Sequence, residues 1–233
     1  MNKRAFKKEM SIKIDLMIIV FLLLFCITSQ IQIYLILMLF ACLHEIGHLC
    51  AGIILGFKPR EIQISPMGMR IEFKPQWEEY NKKIGKGNTL AIKRGIVALA
   101  GPITNLIIIC ITIIVMEMNK NLMTSEICTT IIYANFLIGI FNLIPIYPLD
   151  GGRIIKEILH ITIGLKKSYT YIYKISKITI IFLTAISSIA ILYIQNISII
   201  IILIYLWGLV LIERRKYKEK KLIYSKIVKD SRS

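Results

Sequence analysis

The stretch Ala41-Cys42-Leu43-His44-Glu45-Ile46-Gly47-His48-Leu49-Cys50 places three ionisable side chains inside a segment that is otherwise apolar. From Ile31 to Leu55 almost every residue is hydrophobic, and this run is long enough to cross a lipid bilayer as a helix. Placing His44, Glu45 and His48 at that depth is costly unless they face protein, a water-filled cavity or a metal ion. The three side chains therefore indicate a buried site.

The spacing within this cluster predicts a metal site. His44 and His48 are four residues apart, so on a helix their rings project from one face and can bind one metal ion. Glu45 is next to His44, where its carboxylate can take a proton from water, as in the His-Glu-x-x-His pattern of zinc proteases. Such a short pattern also occurs by chance, but an apolar span would expel an unpaired group of this kind. We therefore expect Zn²⁺ as the cofactor.

Composition and charge indicate a membrane protein. Of the 233 residues, 56% are hydrophobic, and 30 Lys and Arg against 14 Asp and Glu give a formal net charge of +16. The basic residues fall in the loops and tails between apolar runs, a pattern that favours membrane topology over nucleic-acid binding. The five cysteines lie in or beside apolar runs without metal-knuckle spacing, so we expect no disulfide framework.

The pattern of apolar runs predicts an all-α polytopic membrane protein of about six transmembrane helices, with a small β-hairpin between spans 2 and 3. Because the loops rich in Lys and Arg then fall on one side, we expect both termini in the cytoplasm. The spans are expected at about 14–28, 31–55, 95–115, from 127 onward, 178–194 and up to about 212. We assign 1–213 to one membrane domain and 214–233 to a short basic cytoplasmic tail.

Two segments between spans 2 and 3 predict the hairpin. Glu61–Ser65 and Met69–Phe73 alternate polar and apolar residues with the period of strands, and Pro66-Met67-Gly68 separates them. An unpaired strand edge beside a site can pair with an extended substrate. An ordinary surface hairpin explains the pattern equally well.

Prolines and glycines interrupt two of the predicted spans. Pro145, Pro148 and the following Gly-Gly pair prevent a regular helix, which we expect to expose Asp150 at the mouth of an opening. An aspartate that caps a helix N-terminus is the ordinary alternative for Asp150. Gly101-Pro102 either breaks its helix or lets a neighbour approach, and we favour simple small-residue packing. We expect Asn105 to hydrogen-bond between helices.

A catalytic zinc commonly has three protein ligands, so two histidines leave one ligand to be found. The candidates are Asp150, Glu117, Asp15, His160 and the acidic residues of the hairpin region. Topology favours Asp150, because its segment and the His-Glu-x-x-His span both head toward the cytoplasm. We interpret His160 as a surface residue.

Three motifs together resemble the site-2 protease family of intramembrane zinc metalloproteases. They are the His44-Glu45-Ile46-Gly47-His48 cluster, Ala100-Gly101-Pro102-Ile103-Thr104-Asn105, and Asn142-Leu143-Ile144-Pro145-Ile146-Tyr147-Pro148-Leu149-Asp150-Gly151-Gly152-Arg153. The resemblance is closest to the sporulation branch, the stage IV sporulation protein FB group. It implies zinc bound by His44, His48 and Asp150, with Glu45 as the general base, and it implies that Asn142 and Pro148 position the substrate.

The same resemblance implies regulated cleavage of a membrane-associated protein in a bacterial cell membrane. For the sporulation branch, the implied substrate is a pro-sigma factor, in the mother-cell membrane around the forespore, under a membrane-embedded inhibitor or regulator. Members of that branch typically carry a CBS domain after the last span. We expect none in this chain, which puts the pro-sigma substrate in doubt.

A different class of function is a non-catalytic membrane metalloprotein, a regulator that binds membrane segments without cleaving them. Such a protein needs metal ligands but no general base, so the presence of Glu45 favours the protease. A transporter is disfavoured because the other spans show no matching acidic path.

Overall fold

The computed structural model describes residues 11–27, 31–65, 68–73, 86–118, 126–194, 200 and 202–215. These residues are mostly helical and include one small β-sheet. The helices are α1 (Met17–Ile27), α2 (Ile31–Ile54), α3 (Lys86–Met118), α4 (Glu126–Leu143), α5 (Asp150–Ile163), α6 (Leu165–Ile194) and α7 (202–215). The strands are β1 (Ser11–Ile14), β2 (Pro59–Ser65) and β3 (Gly68–Phe73).

The chain divides into two compact units. The first contains the described residues up to Gly87 together with Ile96–Asn142, and the second contains Asn88–Gly95 and the chain from Leu143 onward. The paired histidines belong to the first unit and Asp150 belongs to the second.

Three described helices are long and apolar enough to cross a membrane: α2, residues Asn88–Met118 of α3, and α4. Their large apolar side chains are widely exposed, including Leu39, Ile107 and Phe136, as expected of faces that meet lipid. Helix α1 has only 11 described residues, fewer than the roughly 20 that a spanning helix needs. The total of six spans therefore stays a prediction.

The predicted hairpin is confirmed, but it belongs to a larger sheet. Strands β2 and β3 pair antiparallel, with Ile62 opposite Ile71. Strand β1 adds in parallel to β2, so the order is β1-β2-β3. The expected start of the first span at about residue 14 is wrong, because Ile14 belongs to β1. A strand of four residues gives too short an alternation to be recognised, and its pairing partner lies some fifty residues away.

The end of α2 places the sheet against that helix. Gly56 has a φ of +86°, and the amides of Gly56 and Phe57 donate to the carbonyls of Ile53 and Gly52, which is a Schellman motif. The chain then turns into β2, and Phe73 of β3 packs directly over Gly52. A side chain at position 52 would collide with that ring, so the sheet depends on a glycine in α2.

Helix α3 runs through Pro102 without interruption, so the alternative of a helix break at Gly101-Pro102 does not apply. The Asn105 amide donates to the Asn135 carbonyl at 3.3 Å, which confirms the predicted hydrogen bond between helices. Both asparagines are buried, and the bond joins α3 to α4. Polar bonds of this kind hold apolar helices together where the hydrophobic effect does not.

The predicted opening between α4 and α5 is confirmed. Helix α4 ends at Leu143, the chain is non-helical through residue 149, and α5 begins at Asp150. The Tyr147 amide donates to Ser176 Oγ of α6 at 3.0 Å, so this proline-containing segment is anchored within the second unit. The predicted turn at residues 66–67, the loop at 119–125 and the tail beyond 215 lie outside the described residues.

Candidate metal centre

The three ionisable side chains of α2 form a compact cluster. The ligand atoms of His44, Glu45 and His48 all lie within 4.8 Å of one another. His44 and His48 are each only 2% exposed, whereas Glu45 is partly exposed. The structure therefore brings together two buried nitrogen ligands and a carboxylate that solvent reaches.

A hydrogen bond to the backbone fixes the orientation of one imidazole. His48 Nδ1 lies 2.7 Å from the Val97 carbonyl oxygen of α3, and because a carbonyl only accepts, Nδ1 is the donor. In the neutral ring this leaves the Nε2 lone pair of His48 available to a metal ion. Metal-binding histidines commonly use such a bond to set their tautomer.

The separation of the two rings fits a tetrahedral metal ion. His48 Nε2 and His44 Nε2 are 3.2 Å apart, and the rings meet edge to face at 86°. Two nitrogens bound tetrahedrally at the usual zinc distance are about 3.3 Å apart. The two imidazoles therefore already have the spacing of zinc ligands.

Gly101 provides the space beside these nitrogens. A Cβ at this position would collide with Nε2 of both His44 and His48. Small-residue packing is therefore a fitting interpretation of Gly101, and the neighbours that its missing side chain admits are the ligand atoms themselves. The sequence shows a small residue here, but it does not show which side chains meet it.

A second glycine brings α2 and α3 together. A Cβ at Gly47 would collide with Thr104 Oγ1 and lie 3.0 Å from the Ala100 carbonyl oxygen. This close approach of the two backbones allows the bond from His48 to Val97. Sequence reasoning missed both Val97 and Gly47, since neither carries a side chain with recognisable chemistry.

Asp150 is buried at the start of α5, in the second unit. It is 3% exposed, so the expected exposure at the mouth of an opening is wrong. The N-cap residue of α5 is Leu149, which also argues against the capping alternative. Arg153 lies one turn along the helix, with Nη1 3.4 Å from Asp150 Oδ1. Burial and the neighbouring guanidinium both fit a carboxylate that is held in place, while its role as a ligand stays a prediction.

The remaining predicted site residues occupy the ends of helices or the segment between them. The Asn142 amide donates to the Ile138 carbonyl at 3.0 Å in the last turn of α4. Pro148 is partly buried and follows a cis peptide bond. Of the other candidate ligands, Glu117 is exposed near the end of α3. Asp15 follows β1, and its backbone amide donates a hydrogen bond to the Ile64 carbonyl.

His160 is 7% exposed, so its interpretation as a surface residue is wrong. Its Nδ1 lies 3.4 Å from Glu157 Oε2, and Lys156 Nζ lies 3.3 Å from Glu157 Oε1. Burial alone lowers the pKa of Lys156, but Tyr147, Glu157 and Tyr169 together raise it above its ordinary value. His160 thus belongs to a buried ionic cluster of the second unit that sequence reasoning missed.

Comparison with known proteins agrees with this geometry. Residues 116–186, a range that includes Asn142, Pro148 and Asp150, match the model of peptidase family M50. Over 137 residues the chain is 31% identical to a zinc metalloprotease of Methanocaldococcus jannaschii. Residues 116–186 therefore resemble peptidase family M50. The alignment covers 58% of this chain and 37% of the relative, so the match spans little more than a third of that relative's length.

The chain also shares its fold with a solved structure. The site-2 protease from Methanocaldococcus jannaschii superposes with a TM-score of 0.62, covering 87% of this chain and 89% of that one. The two sequences are 24% identical over this match, a level at which the likeness concerns the fold alone. The two proteins therefore share their overall fold.

Proposed function

We propose that this protein is a zinc metalloprotease that cleaves a membrane-associated protein within or near the bilayer. The observation that carries the proposal is the His44–Glu45–His48 cluster, with paired Nε2 atoms and the cradle at Gly101, on a helix apolar enough to span a membrane. Binding a metal ion would offset the cost of placing these ionisable groups within a membrane-spanning helix.

In this proposal His44, His48 and Asp150 hold the zinc ion and Glu45 is the general base. When bound, zinc supplies a Lewis acid that polarises the scissile carbonyl and activates water. Glu45 takes a proton from the attacking water and passes it to the leaving amine. Its partial exposure suits this role, because the carboxylate must reach both water and substrate.

The substrate must enter in an extended form, because a helical peptide bond is shielded from attack. The non-helical segment between α4 and α5, with Asn142 and Pro148, contacts the substrate in this proposal. Strand β3 packs beside α2 and forms an edge of the described sheet, so its backbone can pair with the substrate.

The finer assignments extend the same proposal. The domain at 1–213 spans the membrane six times, and both termini, including the basic tail 214–233, face the cytoplasm. A bacterial cell membrane is the expected location, with a membrane-embedded inhibitor or regulator as a partner. A sporulation pro-sigma factor in the mother-cell membrane around the forespore is the narrow substrate hypothesis, which the resemblance to the sporulation branch supports.

Replacing the general base tests the mechanism. We expect Glu45→Gln to lower the cleavage rate about a hundredfold or more while the protein retains zinc, because the ligands are unchanged. The assay places purified protein in liposomes with a panel of tagged single-span membrane proteins and measures fragment release and bound zinc. Glu117→Gln, the same change at an exposed acid, is the matched control.

Each outcome of that experiment separates protease from regulator. Cleavage at the wild-type rate by Glu45→Gln contradicts the mechanism. Suppose that the wild-type protein binds zinc and retains one of the tagged membrane proteins, yet releases no fragment from any member of the panel. This outcome favours the non-catalytic regulator.

Removing the proposed third ligand tests the zinc site. We expect Asp150→Asn to weaken zinc binding at least tenfold, because a neutral amide is a poorer ligand than a carboxylate. Zinc retained during dialysis against a graded chelator series provides the measurement, with Asp15→Asn as the matched control. Equal zinc retention by both variants would assign the third ligand to another residue.

A further inference from the structure

The second unit contains a cavity that the proposed proteolysis does not use. It has a volume of about 260 Å³ and is lined by Arg94, Tyr147, Arg153, Lys156 and Glu157. All five residues belong to the same compact unit. Pockets for drug-sized ligands start at about 300 Å³, so this cavity suits a smaller group.

The charge of the lining favours an anion. Three of the side chains are cationic and one is a carboxylate, which leaves an excess of two positive charges. Both oxygens of Glu157 are already engaged, Oε1 by Lys156 and Oε2 by His160. Lys156 therefore neutralises Glu157, and because Arg153 pairs with Asp150, Arg94 supplies the unpaired positive charge.

The two arginines differ in their availability. Arg153 shares its Nη1 with Asp150 at 3.4 Å and is 40% exposed at its side chain. Arg94 is exposed and makes no ion pair with any other residue that the structure describes. A guanidinium with five donors and no partner is suited to a planar or tetrahedral oxyanion.

The floor of the cavity is rigid. Lys156 is 6% exposed, and its ammonium lies 5.3 Å from the ring centre of Tyr147 and 4.6 Å from that of Tyr169. Cation–π contacts of this kind hold a buried ammonium in place. Lys156 is therefore a fixed part of the cavity lining.

The position of Arg94 along α3 identifies the depth of the cavity. The stretch of α3 that is apolar enough to span a membrane begins at Asn88. The side chains of Ile92, Ile96 and Leu99, on the side of α3 opposite Arg94, are exposed and apolar. Arg94 thus lies near the start of the spanning stretch, and basic side chains at such a boundary meet lipid headgroups.

We propose that this cavity binds the phosphate of an anionic phospholipid headgroup, with Arg94 and Arg153 as its donors. Guanidinium groups bind phosphate oxygens in pairs. The position of Arg94 near the start of a membrane-spanning stretch favours a phospholipid headgroup over an acidic side chain of a protein. Arg153 also contacts the proposed zinc ligand Asp150, whereas Arg94 has no role in the proposed proteolysis, so the test rests on Arg94.

Lipid titration of the full-length protein tests this site. Protein stripped of lipid in maltoside micelles is titrated with dioctanoyl phosphatidylglycerol, and binding is followed by calorimetry and by the shift in melting temperature. We expect saturable binding that Arg94→Gln weakens about tenfold, since a hydrogen-bonded charge is lost. The affinity of Arg94→Lys should fall between those of the wild type and Arg94→Gln, because lysine keeps the charge but loses the bidentate donor geometry of the guanidinium group. Arg60→Gln, the same change at an exposed arginine of β2, should bind as the wild type does.

Further titrations distinguish the sources of the phosphate. Dioctanoyl glycerol, which lacks phosphate, should not bind at this site, and inorganic phosphate should bind far more weakly than the lipid. Inorganic phosphate binding as tightly as the lipid would overturn the lipid assignment in favour of a soluble phosphate ligand. Undiminished lipid binding by Arg94→Gln, or equal binding of the diacylglycerol, would overturn the site itself. Glu45→Gln should bind the lipid normally, so failure of the protease proposal leaves this result unaffected.

Discussion

At the scale of single residues, Gly101 decides whether the two histidine rings have room for an ion between them. Its backbone faces Nε2 of His44 and His48, and it lies in the same helix whose Val97 carbonyl orients His48. One helix therefore supplies the nitrogens, and its neighbour supplies both the space and the orientation. The chemistry of the cluster depends on a residue that contributes no functional group.

This dependence predicts the effect of one methyl group. We expect Gly101→Ala to lower zinc affinity at least tenfold, because its Cβ collides with both ligand atoms. Gly208→Ala is the matched control, since a Cβ there meets nothing within 4 Å. Alanine also has a higher helix propensity than glycine. Bound zinc per protein and the melting temperature are measured together. Unchanged zinc in a folded Gly101→Ala protein would contradict the role of this glycine.

At the scale of elements, the sequence predicts structure where the signal is local. Pro145 and Pro148 break the helix because proline lacks a backbone N–H donor and its ring clashes with the preceding turn. The structure shows this break. The β2–β3 alternation identifies its strands in the same way. Strand β1 depends on a partner strand some fifty residues away, and the burial of Asp150 and His160 depends on tertiary packing, so local patterns do not reveal them.

The ionic cluster of α5 predicts a pH dependence of folding in the second unit. Lys156 has a pKa above its ordinary value of 10.5, so its charged form is favoured in the folded protein. The stabilisation is therefore fully present below the unfolded pKa, and it is lost as the pH rises through the raised folded pKa. We expect Lys156→Met to lose about 3 kcal/mol at neutral pH, because Glu157 keeps only His160 as a partner.

Comparison of two variants isolates this effect from the other groups that titrate at alkaline pH. Lys167→Met removes an exposed lysine of α6 and serves as the control. The free energy of unfolding is measured by denaturant in micelles at neutral pH and above pH 10.5. Between these two pH values, it should fall less for Lys156→Met than for the control. An equal alkaline loss in both variants would show that Lys156 does not stabilise the fold through its charge.

At the scale of the whole molecule, the distribution of charge predicts how the chain crosses the membrane. Lys and Arg are concentrated in the segments around residues 3–13, 58–94, 153–177 and 213–221, while the segments near 29–32, 117–126 and 195–196 carry few. The positive-inside rule places the first group in the cytoplasm and the second group outside. An even number of crossings follows, and helices α2, α3 and α4 alternate in direction between these groups.

Reporter fusions test this arrangement in living cells. Fusions of green fluorescent protein and alkaline phosphatase after residues 85, 165 and 233 should be fluorescent and lack phosphatase activity. Fusions after residues 30, 120 and 196 should show the reverse, because alkaline phosphatase folds only outside the cytoplasm. A second set in which Lys166 and Lys167 are changed to Gln measures the contribution of one basic loop. If the carboxyl-terminal fusion shows phosphatase activity, the number of spans is odd, and the shared cytoplasmic position of the two termini is wrong.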